Sequence, residues 1–200
     1  MSSHLSRRIA ALGAAAVVAV GGALVGGIAP AQAASVNTSY TCSTINGPAT
    51  SAVKITLSLP ETAKAGSTVK ARKFKMDIAL PAELVDTLNF FGIKSLSGDA
   101  TGLKYKVGKT TVAVTGAKIP ETPVPASGPM TLKLKGTSAA FVAPAVGTHV
   151  VKVPKKYTMN LVSNGATLDS PSCVLDKGAA SKLGSLTTTK NRRGALGLQP

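Results

Sequence analysis

Seven lysines recur at one phase of the alternating stretches of this chain: Lys54, Lys75, Lys104, Lys106, Lys133, Lys135 and Lys152. Successive side chains of an extended strand point to opposite faces, so a lysine flanked by apolar residues stands on the outer face of a half-buried sheet. Rows of ammonium groups concentrate polyanions, and each phosphate they neutralise adds a salt-sensitive increment of affinity. The same lysines also serve solubility and block edge-to-edge pairing of sheets, so both readings stand open in the sequence. Tyr105 shares the inward phase with Leu103 and Val107. The aromatic interleaving of a single-strand nucleic-acid platform is therefore missing, and sequence-specific nucleic-acid binding is not expected.

The rest of the chemical inventory is sparse. Cys42 and Cys173 are the only cysteines, and an even pair without CxxC spacing in an exported chain reads as a structural disulfide. No cysteine or histidine cluster accompanies them to hold a metal. His149 stands alone on an alternating stretch and reads as a half-buried strand residue. The carboxylates, among them Glu61, Asp77, Asp99 and Asp169, are scattered with no motif placing two across a reacting bond. No serine lies in a Gly-x-Ser-x-Gly elbow, and no phosphate-binding glycine loop or acidic calcium loop is present. A Ser-Lys dyad, which assembles only in space, is the enzymatic arrangement that composition leaves open. The expectation is a non-enzymatic protein with no catalytic residues, no metal and no cofactor.

The elements that must position these groups begin after a leader. Arg7 and Arg8 precede an uncharged apolar run from Ile9 to Ile28, followed by Pro30 and Ala31-Gln32-Ala33. That order is a secretory signal peptide over 1–33, with a retained membrane anchor as the alternative. Glycines at 13, 21, 22, 26 and 27 weaken the run as a spanning helix. The leader holds two of the 23 basic residues and none of the 8 acidic ones, so the excess behind the net charge of +15 belongs to the mature chain. No membrane span is expected after cleavage, and no tryptophan and few aromatics are available to fill the core.

Val53-Ile55-Leu57-Leu59 and Phe74-Met76-Ile78-Leu80 alternate with polar residues, as do shorter runs around Tyr105, Val112, Leu132, Val151 and Met159. At least seven short strands follow. Val69 falls out of phase with Phe74, which predicts a bulge or kink near Lys73. Gly98, Gly108, Gly116, Gly147 and Gly165 are read as turns between strands. One helix is predicted from Pro81-Ala82-Glu83 to Gly92, with Leu84, Val85, Leu88 and Phe91 on one face. The stretch Ile119-Pro120-Glu121-Thr122-Pro123-Val124-Pro125 reads as an extended connection within one domain. Together these predict an all-β fold, an immunoglobulin-like antiparallel β-sandwich over 35–176 with one short helix and one disulfide, and a flexible basic tail over 177–200.

Leu59-Pro60-Glu61-Thr62-Ala63 resembles a sortase sorting signal, but more than a hundred residues of patterned chain follow it, so it is read as a strand running into a turn. Tyr40-Thr41-Cys42, Leu59-Pro60-Glu61-Thr62 with Ala65-Gly66, the Pro-rich stretch from Ile119 to Pro125, and Cys173 with Leu175 resemble a domain family of unknown function from secreted proteins of high-GC Gram-positive (actinobacterial) bacteria, over roughly Ser39 to Leu183. The resemblance implies an exported, disulfide-containing β domain and supplies no activity. Two functional expectations are carried forward. One is an envelope or extracellular module without a covalent anchor that holds an anionic cell-wall polymer on its lysines. The other is a module that docks an extracellular protein through a sheet edge or apolar patch.

Overall fold

The computed structural model describes residues 31–44 and 47–190. The apolar run of the expected leader and the basic residues from 191 onward lie outside them. The strands β1 (Ala31–Thr44), β2 (Gly47–Pro60), β3 (Thr62–Lys64), β4 (Thr68–Val69) and β5 (Arg72–Leu80) precede the helix α1 (Ala82–Phe90). After the helix come β6 (Ser95–Thr101), β7 (Lys104–Val107), β8 (Thr110–Pro123), β9 (Met130–Ser138) and β10 (Phe141–Val142). The chain finishes with β11 (Gly147–Lys152), β12 (Lys156–Ser163), β13 (Ala166–Asp169), β14 (Ser172–Leu175) and β15 (Lys182–Thr189).

The all-β class, the helix and the disulfide are as expected, but the architecture is not the immunoglobulin-like sandwich. Eight strands hydrogen-bond in a closed circuit, β1-β2-β5-β9-β8-β6-β12-β14 and back to β1, every pair antiparallel. The strand that turns an open arrangement into a ring is β6, which pairs β8 on one side and β12 on the other. A second sheet branches from the ring along β8-β7-β11-β15-β3, its last pair parallel. The long strand β8 belongs to both. Its first half pairs β7 and its second half pairs β6.

Two glycines expected in turns make this branching possible from inside strands. Gly116 has φ 60 and sits where the β8–β9 register shifts between Thr115 and Lys118. It is a bulge that bends β8 from one partner to the other. Gly98 lies in β6, beside a register shift against β8, and a Cβ there would stand 2.0 Å from the backbone oxygen of Asn160. Only glycine permits β6 to approach β12 so closely. The predicted phase change before Phe74 is real, but a break at Lys70-Ala71 between β4 and β5 produces it rather than a bulge.

The alternating apolar residues point inward as expected. Ile55, Leu57, Phe74, Met76, Ile78, Leu132 and Leu134 are buried, and they form one continuous cluster with Tyr105, Val151, Leu183 and Leu186 of the branch. Tyr40 and Tyr157 meet edge to face in it, ring centroids 5.1 Å apart, and the Tyr40 hydroxyl donates to the Pro154 carbonyl at 2.6 Å. The tail boundary at Asp176 needs correction. Lys182–Thr189 is the strand β15, with Leu183, Leu186 and Thr188 buried against the branch. Lys-Leu-Gly-Ser-Leu-Thr-Thr-Thr offers little apolar signal, yet pairing with β11 and β3 satisfies its backbone. At the other end, β1 starts at Ala31, and removal of a leader after Ala33 leaves its pairing with β2 intact from Ala34↔Leu57 onward.

The Cys42–Cys173 disulfide joins residues that face each other directly across β1 and β14. It therefore lies on a seam of the ring. The sorting-signal-like segment ends β2 at Pro60 and enters β3 at Thr62, and the Glu61 carbonyl between them accepts from the Thr187 amide at 2.9 Å. Its backbone is committed to the fold. The Pro-rich stretch forms the end of β8 and continues within the same domain.

Candidate functional site

All seven lysines predicted for polyanion binding are exposed, as their phase requires. They do not form one face. Lys54, Lys75, Lys133 and Lys135 stand on the outer wall of the ring, on β2, β5 and β9. Lys104, Lys106 and Lys152 stand on β7 and β11 of the branch. Strand phase fixes inward or outward, and the branching of β8 then separates the two sets.

On the ring wall, register places Lys75 opposite Lys135 and Lys135 opposite Lys118. Carboxylates are interleaved with these rows. Asp77 lies between Lys54 and Lys133, and Asp99 opposes Lys118. Opposite charges facing across neighbouring strands are mutually favourable, so part of this wall is compensated within the protein.

On the branch, Lys106 faces Lys152 across β7 and β11, and Lys152 faces Lys182 across β11 and β15. Like charges directly opposed across a sheet repel. This row continues to Thr111 on β8 and meets no carboxylate. Beside it is a concavity of about 320 Å³ lined by Lys104, Lys106, Lys152, Lys155 and Lys156 together with Gly102, Thr111 and Val153. Five lysines thus line a depression with no acidic residue in its wall. Its field is uncompensated, and an anion entering it relieves the repulsion between its lysines.

Four members of these clusters were absent from the sequence prediction. Lys155 and Lys156 lie in and just after the connection from β11 to β12, where alternation carries no information, although the doublet behind Pro154 was a visible signal. Lys182 was assigned to a tail. Lys118 stands just before the stretch read as a connection and was not assigned to a strand, although it alternates with the buried Ala117 and Ile119.

His149 has a structural post. Its Nε2 lies 2.7 Å from the Ala145 carbonyl and 3.1 Å from Thr188 Oγ1, fastening the loop before β11 to β15. Among the described residues no group of three or more histidine, cysteine or acidic side chains is placed to hold a metal. No helix among them is long and apolar enough to cross a membrane.

Residues 39–184 match the model of a family of unknown function (DUF6801), and the chain belongs to that family. The match spans nearly the same stretch as the resemblance read from the landmark residues. No curated protein matches the chain, and no solved structure matches it.

Proposed function

We propose that this family member is an exported, non-enzymatic module that holds an anionic polymer of the cell envelope, with the branch depression as the primary contact and the ring wall as a secondary one. The observation that carries the reading is the convergence of Lys104, Lys106, Lys152, Lys155 and Lys156 on one concavity without a carboxylate. A phosphate-bearing chain laid along the row from Lys106 through Lys152 to Lys182 meets an ammonium group on each successive strand, roughly every 5 Å. Export is supported by Arg7 and Arg8, the apolar run and Ala31-Gln32-Ala33 in that order. A disulfide that bridges the ring is consistent with an oxidising compartment.

The test is binding of the oxidised protein to purified cell wall, with and without its teichoic acids, across a salt series. Binding that needs the polymer and weakens steeply as salt rises is expected. Affinity that stays level with salt, or that survives removal of the polymer, defeats the proposal. Docking of a protein through a sheet edge has weaker support. Among the described residues each ring strand has a partner on both sides, and the path of strands ends at β13 and β3, which are only 4 and 3 residues long. Edges so short offer little ladder for an added strand.

A further inference from the structure

A second concavity, distant in chemistry from the lysines, lies under α1. It measures about 370 Å³ and is walled by Leu80, Leu84, Leu88, Ile93, Leu96, Met159 and other apolar side chains of the ring end, the helix and β13. Three of its four polar members, all but Ser51, make hydrogen bonds within the protein. The Thr87 hydroxyl donates to the Glu83 carbonyl at 2.8 Å, the Thr44 hydroxyl donates to the Gly47 carbonyl at 2.7 Å, and the Asp169 carboxylate accepts from the Ser170 amide at 2.7 Å. Water is retained in a cavity by several polar partners, and this lining offers few.

The rim adds a second, independent observation. Phe90 and Phe91, at the end of α1, are 85% and 66% exposed and stand edge to face with ring centroids 5.3 Å apart. The predicted helical face had Phe91 inside. Instead its ring borders the cavity while most of it meets solvent. Exposed aromatic pairs on a helix end, adjoining an apolar hollow, mark an approach for an apolar partner. The helix itself is firmly seated. Val85 is buried, and Asn89 Nδ2 donates to the Pro125 carbonyl at 2.8 Å.

We propose that the cavity under α1 binds the aliphatic chain of a single-chain amphiphile, with Phe90 and Phe91 guiding the chain in and the polar head left at the solvent. Size and an apolar lining commit the occupant. A dry cavity of about 150 Å³ accommodates one benzene ring, so this one takes an unbranched chain of roughly ten to fifteen carbons by the same scale. Branched aliphatic side chains and methionine supply half of the wall. Phe91 is its only aromatic member.

The experiment uses the oxidised protein and the neutral probe phenylnaphthylamine, whose fluorescence rises in apolar surroundings. One-to-one binding in the micromolar range is expected, with displacement by monolauroyl glycerol but not by glycerol. Ala49→Phe projects a ring into the cavity from β2 and is expected to weaken binding at least tenfold while the thermal midpoint is unchanged. A second measurement is independent of that variant. The chain contains no tryptophan, so Phe91→Trp places a sole indole at the rim, and ω-bromododecanol is expected to quench it saturably. Failure of the wild type to bind the probe overturns the proposal, as does full-strength binding by a folded Ala49→Phe protein or the absence of saturable quenching in Phe91→Trp.

Discussion

The ring wall and the branch carry lysines drawn from the same sequence pattern, and they differ in what surrounds them. On the wall, Asp77 and Asp99 occupy positions in the same rows as the lysines. On the branch, Lys106, Lys152 and Lys182 follow one another across three strands, and a concavity gathers Lys104, Lys155 and Lys156 beside them. Counting charges does not separate a decorated surface from a binding one. Curvature and the placement of carboxylates do. The two regions also differ in how they are tied: the disulfide spans a seam of the ring, whereas no covalent link crosses the described strands of the branch.

The largest expected effect breaks the comparison at that seam. Replacing Cys42 and Cys173 together by alanine removes a crosslink between residues 131 apart, worth about 5 kcal/mol in the loop-entropy model. Denaturant unfolding should show that loss, and hydrogen exchange should show β1 and β14 losing more protection than β7 and β11. Equal loss in both regions would mean that the ring and the branch unfold as one unit.

Alkaline titration probes the interior that the two regions share. Burial raises the Tyr40 and Tyr157 hydroxyls above the ordinary phenol value of 10.0, with the mutual charge of the pair adding to the rise at Tyr40. A raised folded value gives stability that is fully present below the ordinary pKa and is lost as pH climbs through the folded one. Phenolate absorbance should therefore emerge together with the collapse of circular dichroism. Titration near the ordinary value with the fold intact would show that the ring admits solvent.

The lysines sharpen the contrast directly. Neutralising Lys104, Lys106 and Lys152 should weaken polyanion binding by about a hundredfold, at about 1 kcal/mol for each basic residue near an anionic surface. Neutralising Lys75, Lys133 and Lys135 should weaken it no more than about tenfold, since that wall is partly compensated. Equal losses, read from binding isotherms at fixed salt, would erase the distinction between wall and depression.

The smallest effect is expected at Asp176. Hydroxyls of Ser39 and Thr41 hold its carboxyl below the ordinary carboxylate range, the Thr41 Oγ1 donating at 2.7 Å. A depressed folded value contributes stability above the ordinary pKa that is lost as pH falls through the folded one. Thr41→Val should move the carboxyl back upward in a carbon-detected NMR titration, with little change in overall stability, because the group is exposed.

How much of this was legible in the sequence follows from the range of each interaction. The inward residues of β2 and β5, the outward lysines and the helix from Pro81 are local periodicities, and the structure keeps them. The disulfide was readable from the cysteine count. Ring closure was not, because it rests on β6 pairing two strands distant in sequence, and the glycines that allow it look in the chain like any turn glycine. Gly98 and Gly116 act as bulges inside strands. β15 escaped notice because its position depends on partners rather than on its own apolar content. The lysine depression combines strand phase with a connection and a late strand, so alternation supplied three of its lysines and missed Lys155 and Lys156.

The seam between β1 and β14 also sets an order of events in time. β14 and β12 are among the last strands made, and without them the circuit from β1 through β6 cannot close. Nearly the whole chain must therefore be available before the barrel exists, which makes acquisition of the native state a slow process governed by distant pairings. For a protein threaded across a membrane, that delay is useful. Under the export proposed above, the chain would stay extended enough to pass, and the crosslink would form only when Cys173 arrives opposite Cys42 on the far side.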